Sequence, residues 1–242
     1  MGQKLIYVPE CHSTNSSLAD LTGHADLPEG LVLITDNQTM GRGQRGNQWE
    51  AKPKENLTFS VLLKPKFLAA RDQFQLNMAV ALGIAEGLTH LVSRTVSLKW
   101  PNDIMIGDQK VGGILIENQS VGANLSEAIV GIGINVNQRE FVNEHAVSLT
   151  LLLQSALSLE DVLIRLLTSL EAWYLQLRSG AVHVLRQAYL NSLYRYRQPQ
   201  AFEAGGQSFI GTIIGIDEYG RLCVETKTST KSYSLQEIKM VL

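Results

Sequence analysis

The chain has 242 residues, of which 45% are hydrophobic and 18% are charged, and this mixture excludes intrinsic disorder as the main state. Lys and Arg number 21 and Asp and Glu number 23, which gives a net charge of −2. This balance argues against binding of DNA or an anionic membrane through overall charge, so any bound anion must be held by a few well-placed cations.

The first hundred residues are predicted to alternate helices and buried strands. Hydroxyl side chains at 13–14 precede apolar residues and predict the start of a short helix. Apolar runs at 31–34 and 57–63 predict strands, and the polar, glycine-rich segment 39–49 between them predicts a loop. Apolar residues at helical spacing over 71–92 predict a long helix that packs on a sheet.

The middle of the chain predicts a hairpin, one more strand and two helices. Apolar segments at 96–100, 104–106 and 111–116 surround a glycine turn, which is typical of a hairpin, and 128–136 predicts a further strand. A capping box at Ser158 opens a helix that Gly180 ends, and a shorter helix follows to about Tyr194.

After Pro199 the pattern changes to short alternating runs separated by glycine-rich or polar turns. Five strands of a small antiparallel barrel are predicted near 200–204, 207–216, 221–227, 231–235 and 238–242. The chain is therefore divided into an α+β domain at 1–195 and a β unit at 198–242.

Cellular context is indicated mainly by what the sequence lacks. Cys11 and Cys223 have no metal-binding or disulfide spacing. The first residues have no signal-peptide core, and no run of about 18 apolar residues predicts a membrane span. We expect a cytoplasmic protein with no membrane or nucleic-acid partner.

The glycine-arginine loop at 41–46 matches the pattern GxGxxG but lacks the helix that a dinucleotide-binding fold requires after it. A Walker loop is excluded because Asn47 follows Gly46. Exposed backbone N–H groups and two guanidinium groups suit a carboxylate or phosphate, and Trp49 offers a stacking face. A solvated basic surface loop is the alternative.

The KWPND segment at 99–103 leads through the predicted hairpin to Lys110 and a glycine pair. Because glycine has no side chain, a ligand could lie directly on the sheet at the glycine pair, within reach of Lys110. Asp103 could bind Mg²⁺ or a ribose hydroxyl. The alternative is a tight turn in which Asp103 forms an exposed salt bridge with Lys99.

Four segments resemble motifs of the biotin–protein ligases. They are, in chain order, STN at 13–15, GRGQRGNQW at 41–49, KWPNDIMIGDQKVGGIL at 99–115 and GIGINV at 131–136. The resemblance implies an α+β fold, a mixed or antiparallel sheet with helices as in class II aminoacyl-tRNA synthetases, followed by a small SH3-like barrel.

The resemblance also implies a two-step reaction. Biotin and ATP form biotinyl-5′-AMP with release of pyrophosphate, and a lysine of a biotin carboxyl carrier domain of a biotin-dependent carboxylase then takes the biotinyl group. Mg²⁺ is expected at the phosphates. Two alternatives are a lipoate–protein ligase and a non-catalytic biotin-binding regulator.

The family motifs assign site residues to this chain. The catalytic set comprises Lys110, Arg42 and Asp103, with Asp103 also the expected metal ligand. The residues expected to bind biotin or ATP are Ser13, Thr14, Asn15, Gln38, Gly41, Arg42, Gly43, Arg45, Gly46, Trp49, Lys99, Asn102, Lys110, Gly112, Gly113 and Asn135. Among these, Trp49 is expected to stack near adenine and Asn135 to border the adenine or the ribose.

Two departures from the family pattern stand out. Gln44 occupies a position where relatives often have arginine, so we assign it no catalytic role. The motifs begin at Ser13, which leaves no room for the N-terminal DNA-binding domain of many bacterial relatives. We therefore expect a ligase without a DNA-binding function that is a monomer or a homodimer.

Overall fold

The computed structural model describes residues 1–241, except for the side chain of Arg45. The helices are α1 (Thr14–His24), α2 (Phe74–Thr89), α3 (Leu149–Leu153), α4 (Leu159–Arg178) and α5 (Val182–Ser192). The strands of the first part are β1 (Leu5–Cys11), β2 (Val32–Gln38), β3 (Leu57–Leu63), β4 (Val96–Lys99), β5 (Asp103–Ile106), β6 (Gln109–Val121) and β7 (Asn124–Ile134). Those after the helices are β8 (Pro199–Ala204), β9 (Gln207–Ile216), β10 (Leu222–Glu225), β11 (Thr230–Tyr233) and β12 (Lys239–Met240).

The first seven strands form one mixed sheet in the order β1-β2-β3-β7-β6-β5-β4. β1 and β2 are parallel, and all other neighbours in this sheet are antiparallel. Apolar side chains of β3 such as Phe59 and Val61 belong to the main buried core together with α2 and α4. Leu18 of α1 packs in a smaller buried cluster with Leu62 of β3. Since Leu62 alternates with Val61 along β3, α1 covers the opposite face of the sheet.

The prediction of an α+β fold is confirmed, and most predicted elements are present within a few residues. β3 has the predicted bounds, and α2 lies within the predicted segment 71–92. At the start of α4, the Ser158 hydroxyl accepts a hydrogen bond from the Asp161 N–H at 3.2 Å, which is one of the two hydrogen bonds of a capping box.

β1 was not predicted, because its residues alternate poorly between apolar and polar. It is an edge strand in which Leu5 and Tyr7 are exposed, and Pro9 lies within it. Proline is tolerated at the edge of a sheet because one side of the strand forms no ladder hydrogen bonds. A short run interrupted by proline therefore carries too little signal to predict this strand.

The second sheet is antiparallel, with the order β11-β10-β9-β8-β12. Its buried residues Phe202, Ile213 and Leu222 belong to the same apolar core as α2 and β4. The division at 195–198 stays a prediction, since the buried core is continuous across it. Over residues 1–241, every helix is too short or too polar to serve as a membrane-spanning segment.

Helices α2 and α4 approach so closely that glycine is required between them. A Cβ at Gly83 would lie 2.6 Å from the Leu170 Cα. The main chain of α4 cannot retreat from this contact without opening the core. In contrast, a Cβ at Gly23, in α1, would have nothing within 4 Å.

The same glycine-to-alanine change should therefore have opposite effects in the two helices. Gly23→Ala is expected to raise the free energy of unfolding by about 0.5 kcal/mol, because alanine favours helix. Gly83→Ala is expected to lower it by about 1–3 kcal/mol through overpacking against α4. Denaturant unfolding of both variants checks this, and stabilisation by both would contradict the close packing at Gly83.

Candidate active site

A cavity of about 410 Å³ lies over the glycine-bearing part of the first sheet. Its walls come from the start of α1, the loop at 41–49, the hairpin of β4–β6 and the second sheet. It brings together twelve residues that the sequence predicts for the site, namely Ser13, Thr14, Asn15, Gln38, Arg42, Gly43, Trp49, Lys99, Asn102, Asp103, Lys110 and Gly113.

Four of the other predicted residues, Gly41, Gly46, Gly112 and Asn135, are not among the described residues that line this cavity. Gly41 and Gly46 border a neighbouring cleft that also contains Arg42 and Gly43. Gly112 faces the core, and the Asn135 side chain is buried, where its amide Nδ2 donates to the Val147 carbonyl at 3.2 Å. The side chain of Arg45 lies outside the part of the chain that the structure describes.

A buried polar network holds the start of α1 against the sheet. The Thr14 N–H donates to Gln38 Oε1 at 2.7 Å, and the Ser60 Oγ lies 2.7 Å from Thr14 Oγ1 and 2.6 Å from Asn15 Oδ1. Asn15 Nδ2 donates in turn to Glu117 Oε2 at 2.7 Å. Such a network fixes the orientation of its donors and acceptors, because each unpaired group would carry a desolvation cost.

Ser13 occupies the N-cap position of α1. Among the described residues its side chain makes no capping hydrogen bond, although it is almost completely buried. The sequence left open whether this hydroxyl serves as a cap or as a ligand contact. Its position in the cavity wall is compatible with the second role.

The glycine-arginine loop folds back on itself as a tight turn. The Gly43 N–H donates to the Asn47 carbonyl at 2.7 Å, and the Trp49 N–H to the Gly41 carbonyl at 2.9 Å. A Cβ at Gly41 would lie 2.6 Å from the Trp49 carbonyl oxygen, so close backbone packing requires glycine there. This turn places Arg42 where its Nη2 lies 2.7 Å from Glu117 Oε2.

Lys110 lies next to Asp103, at 2.6 Å between Nζ and Oδ1. The salt bridge expected as the alternative, between Asp103 and Lys99, is therefore replaced by one with Lys110. The ammonium group of Lys110 also lies 5.9 Å from the centre of the Trp49 ring.

A β-bulge decides which glycine shares the cavity with Lys110. The pairing of β5 with β6 passes from Met105↔Lys110 to Ile104↔Gly112, so that one residue of β6 is unpaired. A Cβ at Gly113 would lie 3.6 Å from Lys110 Cε and from Trp49 Cζ3, whereas one at Gly112 would lie 2.6 Å from Ile134 Cδ1. Gly113 therefore faces the cavity, and Gly112 faces the core.

Three glycines form the floor of the cavity, and only Gly113 is among the residues that the sequence motifs predict for the site. Gly113 and Gly133 are cross-strand neighbours, and Gly131 lies two residues before Gly133 on the same face of β7. A Cβ at Gly131 would overlap Asn15, and one at Gly133 would overlap the Trp49 ring. The signal that could have found them is the i, i+2 spacing of glycines within the GIGINV strand.

Lys99 is partly buried in the cavity wall, where the positive charges of neighbouring lysines repel its ammonium group. Burial lowers the pKa of Lys99, the Asp103 carboxylate opposes this effect, and the charges of Lys110 and Lys239 lower the pKa further. Lys239 belongs to β12 of the second sheet. An anion in the cavity would relieve this repulsion.

Glu117 and the wall formed by the second sheet were also not predicted. The residues of this wall are Phe202, Ile213, Leu222, Leu235, Ile238, Lys239 and Met240. The first of them, Phe202, lies 66 residues after Val136, the end of the last motif, and no local pattern relates these residues to the site.

Comparison with known families covers both parts of the chain. Residues 7–135 match the model described as "Biotin/lipoate A/B protein ligase family". Residues 201–239 match "Biotin protein ligase C terminal domain".

Individual relatives agree with the family match. The chain is 30% identical to a biotin–[acetyl-CoA-carboxylase] ligase of Mycobacterium tuberculosis, over 98% of this chain and 88% of the relative. It is 29% identical to the bifunctional ligase/repressor BirA of Bacillus subtilis, over 99% of this chain and 75% of the relative.

Among solved structures, the biotin protein ligase from Aquifex aeolicus in complex with biotin and ATP superimposes with a TM-score of 0.82. The identity is 27%, and the match covers 99% of each chain. The fold, the order of the motifs and these matches agree: the chain belongs to the biotin/lipoate A/B protein ligase family and, within it, to the biotin protein ligases.

Proposed function

We propose that this biotin protein ligase carries out both half-reactions in the cavity above Gly113, Gly131 and Gly133. In the first, a carboxylate oxygen of biotin forms a bond to the α-phosphorus of ATP. The bond from that phosphorus to its bridging oxygen breaks, and pyrophosphate leaves. In the second, the amine of a carrier lysine attacks the acyl carbon of biotinyl-5′-AMP, AMP leaves with the electron pair of the C–O bond, and the amine loses a proton.

The observation that carries this proposal is the meeting of Arg42 and Lys110 in one cavity, although they come from segments far apart in the chain. A carboxylate and a phosphate repel each other, and their reaction needs positive charge held where negative charge accumulates. Arg42 supplies a planar fork of donors and Lys110 a compact charge. We assign both to the carboxylate and the α-phosphate.

The neutral end of biotin is assigned to the polar network at α1. A ureido group offers N–H donors and a carbonyl acceptor, so it needs fixed partners of both kinds. Ser13, Thr14, Asn15 and Gln38 provide hydroxyl and amide groups within one wall of the cavity. Asn15 packs on Gly131 and the Trp49 ring packs on Gly133, so we assign the ring and the acyl chain of biotin to the space beside these two side chains, next to Gly113.

The nucleotide is assigned to the side of the cavity that contains Trp49, Lys99 and Asn102. An indole ring stacks on a flat base, which supports the predicted role of Trp49 at adenine. We propose that Gly112 and Asn135 support the floor from below, since Gly112 packs on Ile134 and Asn135 is buried.

Mg²⁺ is proposed to accompany ATP. In the described part of the chain, Asp103 is the one carboxylate of the cavity wall, and no cluster of three or more His, Cys, Asp or Glu suits a metal ion. Mg²⁺ is commonly held by one or two carboxylates together with substrate phosphates. Asp103 and the phosphates of ATP would form such a combination. Asp103 would hold the ion, which neutralises phosphate charge; an alternative role for Asp103 is to position the incoming lysine.

The carrier is proposed to be the biotin carboxyl carrier domain of a biotin-dependent carboxylase. The support is the name of the Mycobacterium tuberculosis relative, which specifies acetyl-CoA-carboxylase. We place the reaction in the cytoplasm, where ATP is abundant. The monomer and the homodimer remain alternatives.

Pyrophosphate release tests this proposal directly. The protein mixed with biotin, ATP and Mg²⁺ is expected to release pyrophosphate, and lipoate in place of biotin is expected to give none. Addition of a biotin carboxyl carrier domain should then produce AMP and the biotinylated carrier. Biotin binding without pyrophosphate would favour a regulator, and equal release with lipoate would contradict the specificity.

A further inference from the structure

The second sheet is held firmly against the KWPND hairpin. The Trp100 indole Nε1 donates to the Gly220 carbonyl at 2.9 Å. A Cβ at Gly220 would overlap the Phe74 ring of α2, so the turn before β10 lies directly on the first part of the chain. These contacts fix the second sheet as a wall of the cavity.

Lys239 is the one charged residue that this sheet contributes to the described cavity wall, and its companions there are apolar. It follows the buried Ile238 on β12 and is itself exposed. Neither Lys239 nor Lys99 forms an ion pair with any carboxylate in the described part of the chain.

The cavity therefore holds more positive charge than biotin and an α-phosphate require. The described wall contains the cations Arg42, Lys99, Lys110 and Lys239 and the carboxylate of Asp103. Arg42 is paired with Glu117 and Lys110 with Asp103, whereas Lys99 and Lys239 have no ion-pair partner in the described part of the chain, although the Asp103 carboxylate also attracts Lys99 at longer range. Two unpaired ammonium groups that repel each other suit a ligand with several negative charges, because such a ligand removes the repulsion.

We propose that Lys239, together with Lys99, binds the β- and γ-phosphates of ATP, so that the second sheet completes the nucleotide site. This inference rests on the proposed function. As the bond from the α-phosphorus to the bridging oxygen breaks, negative charge develops on the leaving pyrophosphate. An ammonium group already placed there stabilises that charge and donates hydrogen bonds to the phosphate oxygens.

The experiment uses Lys239→Gln in the full chain and measures the KM for ATP in biotin-dependent pyrophosphate release. The KM is expected to rise about 5- to 20-fold, as lost charge-assisted hydrogen bonds imply. The inhibition constant for pyrophosphate should rise by a similar factor, while biotin binding without ATP and inhibition by AMP should change less than about twofold. Lys239→Arg should restore most of the ATP affinity, because the charge returns.

Lys231→Gln is the matched control. Lys231 lies on β11 of the same sheet, packs over Tyr233 and is not in the cavity wall. Lys231→Gln should leave the KM for ATP unchanged. The midpoint of thermal unfolding should be the same for Lys231→Gln and Lys239→Gln.

An unchanged KM for ATP and an unchanged inhibition constant for pyrophosphate in Lys239→Gln would overturn the inference. A change only in the KM for the carrier would also overturn it, since Lys239 would then contact the protein substrate. Failure of the proposed function is a different result, in which the unsubstituted chain releases no pyrophosphate with biotin.

Discussion

Replacement of Lys110 by methionine is expected to lower the rate of biotin-dependent pyrophosphate release by about 10²–10³-fold, the usual loss when one preorganised charge-stabilising group is removed. Methionine keeps the length of the apolar stem but removes the charge that faces Asp103 at 2.6 Å. The rate should fall at saturating biotin and ATP, because the lost interaction strengthens as the carboxylate attacks the phosphorus.

The fold should tolerate this change. The side chains of Lys110 and Asp103 are only 30% and 24% exposed, so loss of the pair should lower the free energy of unfolding by about 1–3 kcal/mol, and Lys99 stays close enough to attract the Asp103 carboxylate. Lys52→Met is a matched control, because Lys52 also pairs with a carboxylate, that of Glu140 at 2.8 Å, but lies outside the cavity wall. Full activity of Lys110→Met, or an equal loss in Lys52→Met, would remove Lys110 from the reaction.

Valine at Gly113 is expected to weaken biotin binding about 100-fold or more while the free energy of unfolding changes by less than about 1 kcal/mol. A Cβ there would be in ordinary van der Waals contact with Lys110 and Trp49, so the strand itself has room. The branched side chain would then fill the floor of the cavity where the acyl chain is proposed to lie. Calorimetric titration with biotin, together with denaturant unfolding, measures both effects.

Valine at Gly112 should show the reverse behaviour. Its Cβ would lie 2.6 Å from Ile134 Cδ1 and 2.9 Å from the Gly133 carbonyl oxygen. Overpacking of this kind typically lowers the free energy of unfolding by about 1–3 kcal/mol. If Gly113→Val binds biotin normally, the proposed floor is wrong, whatever the behaviour of Gly112→Val.

Most secondary structure could be predicted because its signals are local. The apolar spacing of α2, the uninterrupted apolar run of β3 and the capping box at Ser158 each depend on residues within a few positions of one another. β1 could not be predicted, because an edge strand buries few apolar side chains and tolerates proline, here Pro9.

The candidate site also contains some residues that local patterns predict and others that only the folded chain brings together. Arg42 and Lys110 could be nominated because glycine-rich loops and lysine near a glycine pair are recognisable patterns, and both residues do line one cavity. Glu117 could not be paired with Arg42 beforehand, since the two are 75 positions apart and meet only through the fold of the loop onto β6. The same holds for Lys239.

The fold class, most elements and the motifs of a biotin protein ligase can be recognised in the amino-acid sequence alone, because they follow from local periodicity and from short segments of fixed composition. That Gly113 rather than Gly112 faces the cavity is visible only in the folded chain, because an unpaired residue in β6 reverses the alternation of sides. The same is true of Lys239, which β12 brings into the cavity wall. Register and long-range packing depend on the whole chain, and no local pattern encodes them.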